Sequence, residues 1–251
     1  MFADLIIIFI FGLGLGSFAG VIICRRKTPF LIVAKPSHCD YCKRKLGFLD
    51  LIPVVSFVLQ KGKCHYCCKK ISWFYPGVEI LSGMAFAINW YFFKSQNQDI
   101  SHLVLSNALI FILIIIAFID FKQMIVPDSL VLIILLIALV KMFLGKTYLA
   151  GFEGLALAGG FLAVLAIAGR GNWMGWGDVK LAGALGIFLG FSGSLAMIFN
   201  AFIIGALVSV FLLIIKDKKL KDHIPFAPFI VIGAFLALWL DQIISNYVLW
   251  F

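Results

Sequence analysis

Charge is what this sequence has least of. Asp, Glu, Lys and Arg together make up 13% of its 251 residues, about half the share of an ordinary soluble domain. So few polar side chains cannot cover a water-facing surface of this size, which excludes a soluble domain large enough to carry the function alone. A Rossmann-type Gly-rich fingerprint for a nucleotide is missing, as are internal repeats and low-complexity tracts. The first apolar run, Leu5 to Ile23, has no basic segment before it; Arg25, Arg26 and Lys27 follow it instead. It is therefore expected to be a first transmembrane helix rather than a cleavable signal peptide.

Apolar length is what the sequence has in abundance. Hydrophobic types account for 63% of residues, and the mean hydropathy is +1.09. Runs of spanning length fall at 5–23, 77–93, 103–121, 128–144, 150–168, 178–191, 195–215 and 226–250. The sixth is short and glycine-rich. The expected fold class is therefore all-α: a polytopic membrane protein of about eight transmembrane helices with both termini outside.

The basic residues agree with that topology. The chain holds 21 Lys and Arg against 12 Asp and Glu, a net charge of +9. In a soluble protein such a balance would point to nucleic acid; in a membrane protein Lys and Arg mark cytoplasmic loops, and no nucleic-acid partner is expected. Eleven fall in the loop 24–76, including Arg25, Arg26, Lys27 and Lys35. Placing that loop inside puts Lys122, Arg170, Lys180, Lys216, Lys218, Lys219 and Lys221 inside too. Only Lys94, Lys141 and Lys146 remain outside. The expected organisation is a first transmembrane helix over 1–23, a cytoplasmic loop over 24–76 and a transmembrane part over 77–251. The loop is too short to fold on a core of its own without a staple, and its basic residues suit anionic lipid head groups.

A staple is present. Cys39-Asp-Tyr-Cys42 and Cys64-His-Tyr-Cys67 are two C-x-x-C pairs with 21 residues between them. That is the spacing of a four-thiolate zinc site, each pair forming one knuckle of a tetrahedron. A reducing cytoplasm favours metal over disulfides. Four thiolates complete the shell, so His38, His65 and Cys68 are bystanders and the zinc is structural. Cys24, at a membrane boundary, reads as a buried small apolar residue.

Two acids stand out. Asp120 closes the third run in Ala117-Phe-Ile-Asp120-Phe-Lys122, and Asp178 opens the sixth in Gly175-Trp-Gly177-Asp178-Val-Lys180. A carboxylate beside hydrocarbon is costly. Two at one depth on separate helices can share a proton and work as general base and general acid. Alternatively each pairs with its neighbouring lysine, Lys122 or Lys180. Asp128, after Pro127, reads as a helix cap. Glu79, near the start of the second run, fits either a helix N-terminus or a site for a cationic group.

In order along the chain, Gly16-Ser17-Phe18, Pro36-Ser-His-Cys39, Asp50-Leu-Ile-Pro53, the second C-x-x-C, Tyr75-Pro-Gly-Val-Glu79, Asp120 to Asp128 and Gly175-Trp-Gly-Asp178 resemble the bacterial type IV prepilin peptidases. The resemblance spans Gly16 to about Phe229 and is nearest to the Gram-positive, competence-pseudopilin kind. The G-x-G-D element is shared with intramembrane aspartyl proteases. The resemblance implies that Asp120 and Asp178 are the catalytic pair of an aspartic endopeptidase at the cytoplasmic face of the cell membrane. It implies a prepilin or pseudopilin substrate with a short basic leader, a Gly at the cleavage point and then an apolar helix. It also implies methylation of the new N-terminus from S-adenosylmethionine, with Glu79 among the elements that serve that cofactor.

Two other readings compete. A proton- or ion-coupled transporter would use membrane acids, but its site belongs near the midplane at a repeat interface, and no repeat is present. A zinc-dependent membrane hydrolase needs an open coordination position, which four thiolates do not leave.

Overall fold

The computed structural model describes residues 2–25, 36–95, 99–171, 173–215 and 224–248, with side chains described as far as Trp239 in the last helix. Of the basic residues counted above, Arg26, Lys27, Lys35, Lys216, Lys218, Lys219 and Lys221 lie outside the described residues. Among the described residues there is no strand; two isolated antiparallel bridges are the only extended pairings. The chain forms two compact units, Met1–Gln98 and Asp99–Phe251.

The first unit pairs two long helices, α1 (Phe2–Arg25) and α3 (Phe74–Ser95). Glycines explain how closely they pack. Gly12, Gly16 and Gly20 recur every four residues and are buried on one side of α1, a small-residue stripe that lets two backbones approach. A Cβ at Gly12 would lie 2.8 Å from Gly83 Cα, and one at Gly16 would lie 2.7 Å from Glu79 Cα. Between them sit a single 3-10 turn (Leu49–Leu51), the short helix α2 (Val55–Leu59) and the cysteine loop.

The second unit contains α4 (Ile100–Gln123), α5 (Asp128–Gly145), α6 (Tyr148–Ala168), α7 (Trp176–Ile214) and α8 (Ala227–Val248). Short links make consecutive helices neighbours. Met124 ends α4 in the left-handed conformation (φ 52°), its N–H bonded to the Asp120 carbonyl at 2.7 Å. Lys146 does the same after α5 (φ 53°). The most deeply buried span is α4, where Leu109, Ile110 and Leu113 to Ile116 leave almost no accessible surface. A helix apolar all round has its place among other helices. Packing against α5, α6 and α8 makes α7 the hub.

Among the described residues, five helices are long and apolar enough to cross a membrane: α1, α4, α5, α6 and α7. Ile7, Ile10, Leu132, Phe152 and Leu207 lie exposed on them, as lipid-facing side chains should. The runs expected at 178–191 and 195–215 form one 39-residue helix, α7, broken at Gly190 (φ 74°, ψ −172°). Unbroken, it would measure about 58 Å, nearly twice the hydrocarbon thickness of about 30 Å.

Candidate functional site

The cysteine loop is built from two equivalent turns. Cys39 N–H donates to the Arg44 carbonyl (3.0 Å) and Lys43 N–H returns to the Cys39 carbonyl (3.0 Å). In the second turn Cys64 N–H donates to the Lys69 carbonyl (2.8 Å) and Cys68 N–H to the Cys64 carbonyl (2.9 Å). Lys43 and Cys68, at matching positions, both adopt φ 56°. The turns bring the sulfurs of Cys39, Cys42, Cys64 and Cys67 within 4.8 Å of one another. The Cys39 and Cys67 Sγ atoms are 3.8 Å apart, close to the edge of about 3.8 Å in a tetrahedron with 2.3 Å Zn–S bonds. The four cysteines therefore fit a zinc ion, and His38, His65 and Cys68 stand outside the cluster.

The thiols feel one another. The Cys42 backbone amide brings Cys39 down to about 7. At Cys67 the Lys69 amide pulls downward, but desolvation and the three other sulfurs outweigh it and push the thiol up to about 11. Four thiolates at this spacing need a cation between them.

One residue that the sequence left without a role ties the loop together. Asp50 accepts hydrogen bonds from Gly47 N–H (2.9 Å), Gln60 Nε2 (2.8 Å) and the Tyr66 hydroxyl (3.2 Å), while Arg44 stacks on Tyr66 at 4.3 Å. An acid set between Leu49 and Leu51 was the available signal. Cys24 departs from expectation: it is exposed, with its thiol 3.6 Å from the Tyr75 hydroxyl. At the boundary of α1 it borders a cavity rather than packed side chains.

That cavity, of about 410 Å³, lies between α1, the start of α3 and the cysteine loop. Ser17, Glu79, Tyr75, Asp50 and Cys39 are among the residues that line it. Glu79 is buried. It accepts from the Val54 N–H at 2.7 Å and from the Ser17 hydroxyl. Val54 presents its N–H from a positive-φ conformation (φ 60°, ψ −47°), unusual for a β-branched residue. The Gly-Ser of the first span thus has two jobs: Gly16 lets α3 come close, and Ser17 meets Glu79.

In the second unit the two prominent acids are brought together. Asp120, in the last turn of α4, is buried and accepts the Ala227 N–H at 3.2 Å. Ala227 opens α8, so the positive end of that helix points at Asp120. Asp178, in the first turn of α7, is half-buried, and its carboxyl group lies within electrostatic range of Asp120. The two glycines before it make room. A side chain at Gly175 would sit 3.2 Å from Asp178 Oδ2, and one at Gly177 would sit 3.0 Å from Val126 Cβ.

Lys180 does not serve as the counter-ion of Asp178; its Nζ binds Asp128 at 2.9 Å on the exposed surface. Asp128 is also not the expected cap. Pro127 holds the N-cap position of α5 without a side-chain hydrogen bond. Asp128 is the first helical residue, and its carboxylate is taken by Lys180.

Residues 10–93 match the bacterial peptidase A24 N-terminal domain, and residues 107–210 match the Type IV leader peptidase family. Over 247 residues the chain is 37% identical to the prepilin leader peptidase/N-methyltransferase of Bacillus subtilis (strain 168), covering 96% of this chain and 97% of that protein. The chain belongs to the type IV leader peptidase family. Among other relatives of the same name, that of Legionella pneumophila is 31% identical over 84% of this chain and 75% of its own length. That of Aeromonas hydrophila is 26% identical over 96% and 92%. No solved structure matches. The first family match falls within the first compact unit and the second within the other.

Proposed function

We propose that the chain is an aspartic endopeptidase that removes the leader of type IV prepilins or competence pseudopilins at the cytoplasmic face of the membrane, and then methylates the new N-terminus with S-adenosylmethionine. The observation that carries the cleavage reading is the pair Asp120 and Asp178, two acids on separate helices within range of each other's charge, one of them held by a helix N-terminus. One carboxylate takes a proton from water as the water attacks the scissile carbonyl, and the other, protonated, gives its proton to the carbonyl oxygen. As the C–N bond breaks, the proton gained in the first step passes to the leaving amine, and the hydroxyl made from the carbonyl oxygen returns its proton to the second carboxylate as the C=O bond re-forms. Membership of a peptidase family sets the transporter reading aside.

Zinc, when bound by Cys39, Cys42, Cys64 and Cys67, supplies a structural cross-link and no open coordination position. The cavity suits a methyl donor in size and charge. Its volume of about 410 Å³ falls in the range of small-molecule sites, and it carries the buried carboxylate of Glu79 for a sulfonium cation. S-adenosylmethionine, when bound, supplies an activated methyl group. Glu79 binds and orients, and Ser17 and the Val54 amide hold its carboxylate in place. The domain division expected from the sequence has a functional sense: the loop 24–76 is the cytoplasmic zinc module, and the catalytic acids belong to 77–251. Lysines of the module face lipid head groups.

The test is co-expression with a pseudopilin precursor, read by gel shift and by the mass of the mature N-terminus. The expected result is no cleavage by Asp178→Asn although it accumulates in membranes, and full cleavage without the added methyl mass for Glu79→Gln. A methylated product from Glu79→Gln would remove Glu79 from the cofactor site.

A further inference from the structure

We propose that Lys141 is a positioning residue for cleavage: its ammonium holds the helix break at Gly190 and thereby fixes the half-helix that carries Asp178. The inference rests on the reading of Asp178 as a member of the catalytic pair.

The half-helix begins with Asp178 in the first turn of α7 and ends at Gly190, whose backbone (φ 74°, ψ −172°) is not helical. A helix end leaves carbonyls without ladder amides, and apolar surroundings make an unpaired carbonyl expensive. One of these carbonyls, that of Phe188, is taken by a side chain from another helix. Lys141 Nζ, on α5, donates to it at 2.7 Å. The same ammonium sits 4.1 Å from the centroid of the Phe188 ring, and His102 of α4 approaches the ring from elsewhere at 6.5 Å. Phe188 itself is almost wholly buried. A lysine inside an apolar helix is costly and therefore calls for an explanation; capping a broken helix explains this one.

The charges also agree with the half-helix as a dipole. Asp178 stands at its positive end and the Lys141 ammonium at its negative end. Glycines clamp the same segment sideways. A Cβ at Gly154 would overlap the Gly186 carbonyl oxygen, and one at Gly159 would lie 3.1 Å from Gly183 Cα. The segment is thus a rod pressed along α6, and its far end is pinned by Lys141. Asp178 is twelve residues from Gly190, about 18 Å along a helix. A tilt of 10° at the break would carry Asp178 by about 3 Å, well beyond the roughly 0.5 Å tolerance of a working site.

The experiment uses the full chain in lipid nanodiscs with a pseudopilin precursor, and compares wild type, Lys141→Met, Lys141→Arg and Asp178→Asn. Two quantities are read: kcat and KM for cleavage, and backbone amide exchange over 176–190. Lys141→Met is expected to lower kcat by at least about tenfold with KM within about twofold, because misplacement of a reacting group acts on the chemical step. Its amides around Gly190 should exchange faster, and Lys141→Arg should restore both values. Wild-type kcat in Lys141→Met, or a loss of kcat with unchanged exchange, overturns the proposal. Should Lys141→Met not accumulate, Lys141→Gln keeps a donor and loses the cation. A smaller fall in kcat with faster exchange then supports the proposal, and wild-type values of both overturn it. If Asp178→Asn cleaves normally, the catalytic reading of Asp178 falls instead, and the exchange data still decide whether Lys141 holds the break.

Discussion

Replacing Gly16 by alanine adds one methyl group, and the structure says where it goes. The new Cβ would lie 2.7 Å from Glu79 Cα and 2.9 Å from Ser82 Cβ, where carbon atoms prefer roughly 3.5–4.0 Å. Neither is the loose end of a flexible side chain, so α1 and α3 must separate by about 1 Å. Overpacking of this kind costs about 1–3 kcal/mol. The functional effect should exceed the loss of stability, because the next residue is Ser17 and the backbone struck is that of Glu79. A displacement of about 1 Å in a positioning group can cost about 100-fold in rate. Gly14→Ala on the same helix is the control: nothing lies within 4 Å of its Cβ, and the helix gains up to about 1 kcal/mol from the exchange. The assay is the methylated fraction of the mature pilin over time, beside the cleaved fraction. Gly16→Ala should lose methylation far more than cleavage, and Gly14→Ala should lose neither. Equal methylation by Gly16→Ala and wild type would refute the argument that close α1–α3 packing sets the Glu79 site.

Two further outcomes follow from the same geometry. Cys39→Ser removes one of four sulfurs, so zinc per purified chain should fall from one to near zero, and amide protection across 36–76 should fall with it. Retained zinc would mean that another residue completes the shell. The Lys180–Asp128 pair is exposed, with side chains 54% and 75% accessible, and should contribute under about 1 kcal/mol; a melting curve for Lys180→Gln close to that of wild type would bear this out.

Much of this arrangement could be read in the residues, for identifiable reasons. Apolar runs of spanning length locate the long helices because lipid demands them. The C-x-x-C pairs reveal the four-sulfur cluster because each ligand pair is local, within one turn. Gly175 and Gly177 before Asp178 likewise act on their immediate surroundings. What was hidden depends on long-range folding. No local signal shows that the Ala227 amide would meet Asp120, 107 residues away, or that Asp50 would gather three donors. The break in α7 falls at Gly190 rather than Gly186 or Gly193, a choice that a run of glycines does not disclose. Lys180 lies two residues from Asp178, yet it reaches across to Asp128, because side chains at i and i+2 on a helix face apart.

On the proposed mechanism Asp120 and Asp178 form one chemical unit. The most direct test is kcat/KM for precursor cleavage by wild type, Asp120→Asn, Asp178→Asn and the double variant, each in the same lipid. A unit that shares its protons should lose nearly all activity with either change, at least about 1,000-fold, and the double variant should lose no more than the worse single one. Near-wild-type cleavage by either single variant, or losses that multiply in the double, would contradict the account.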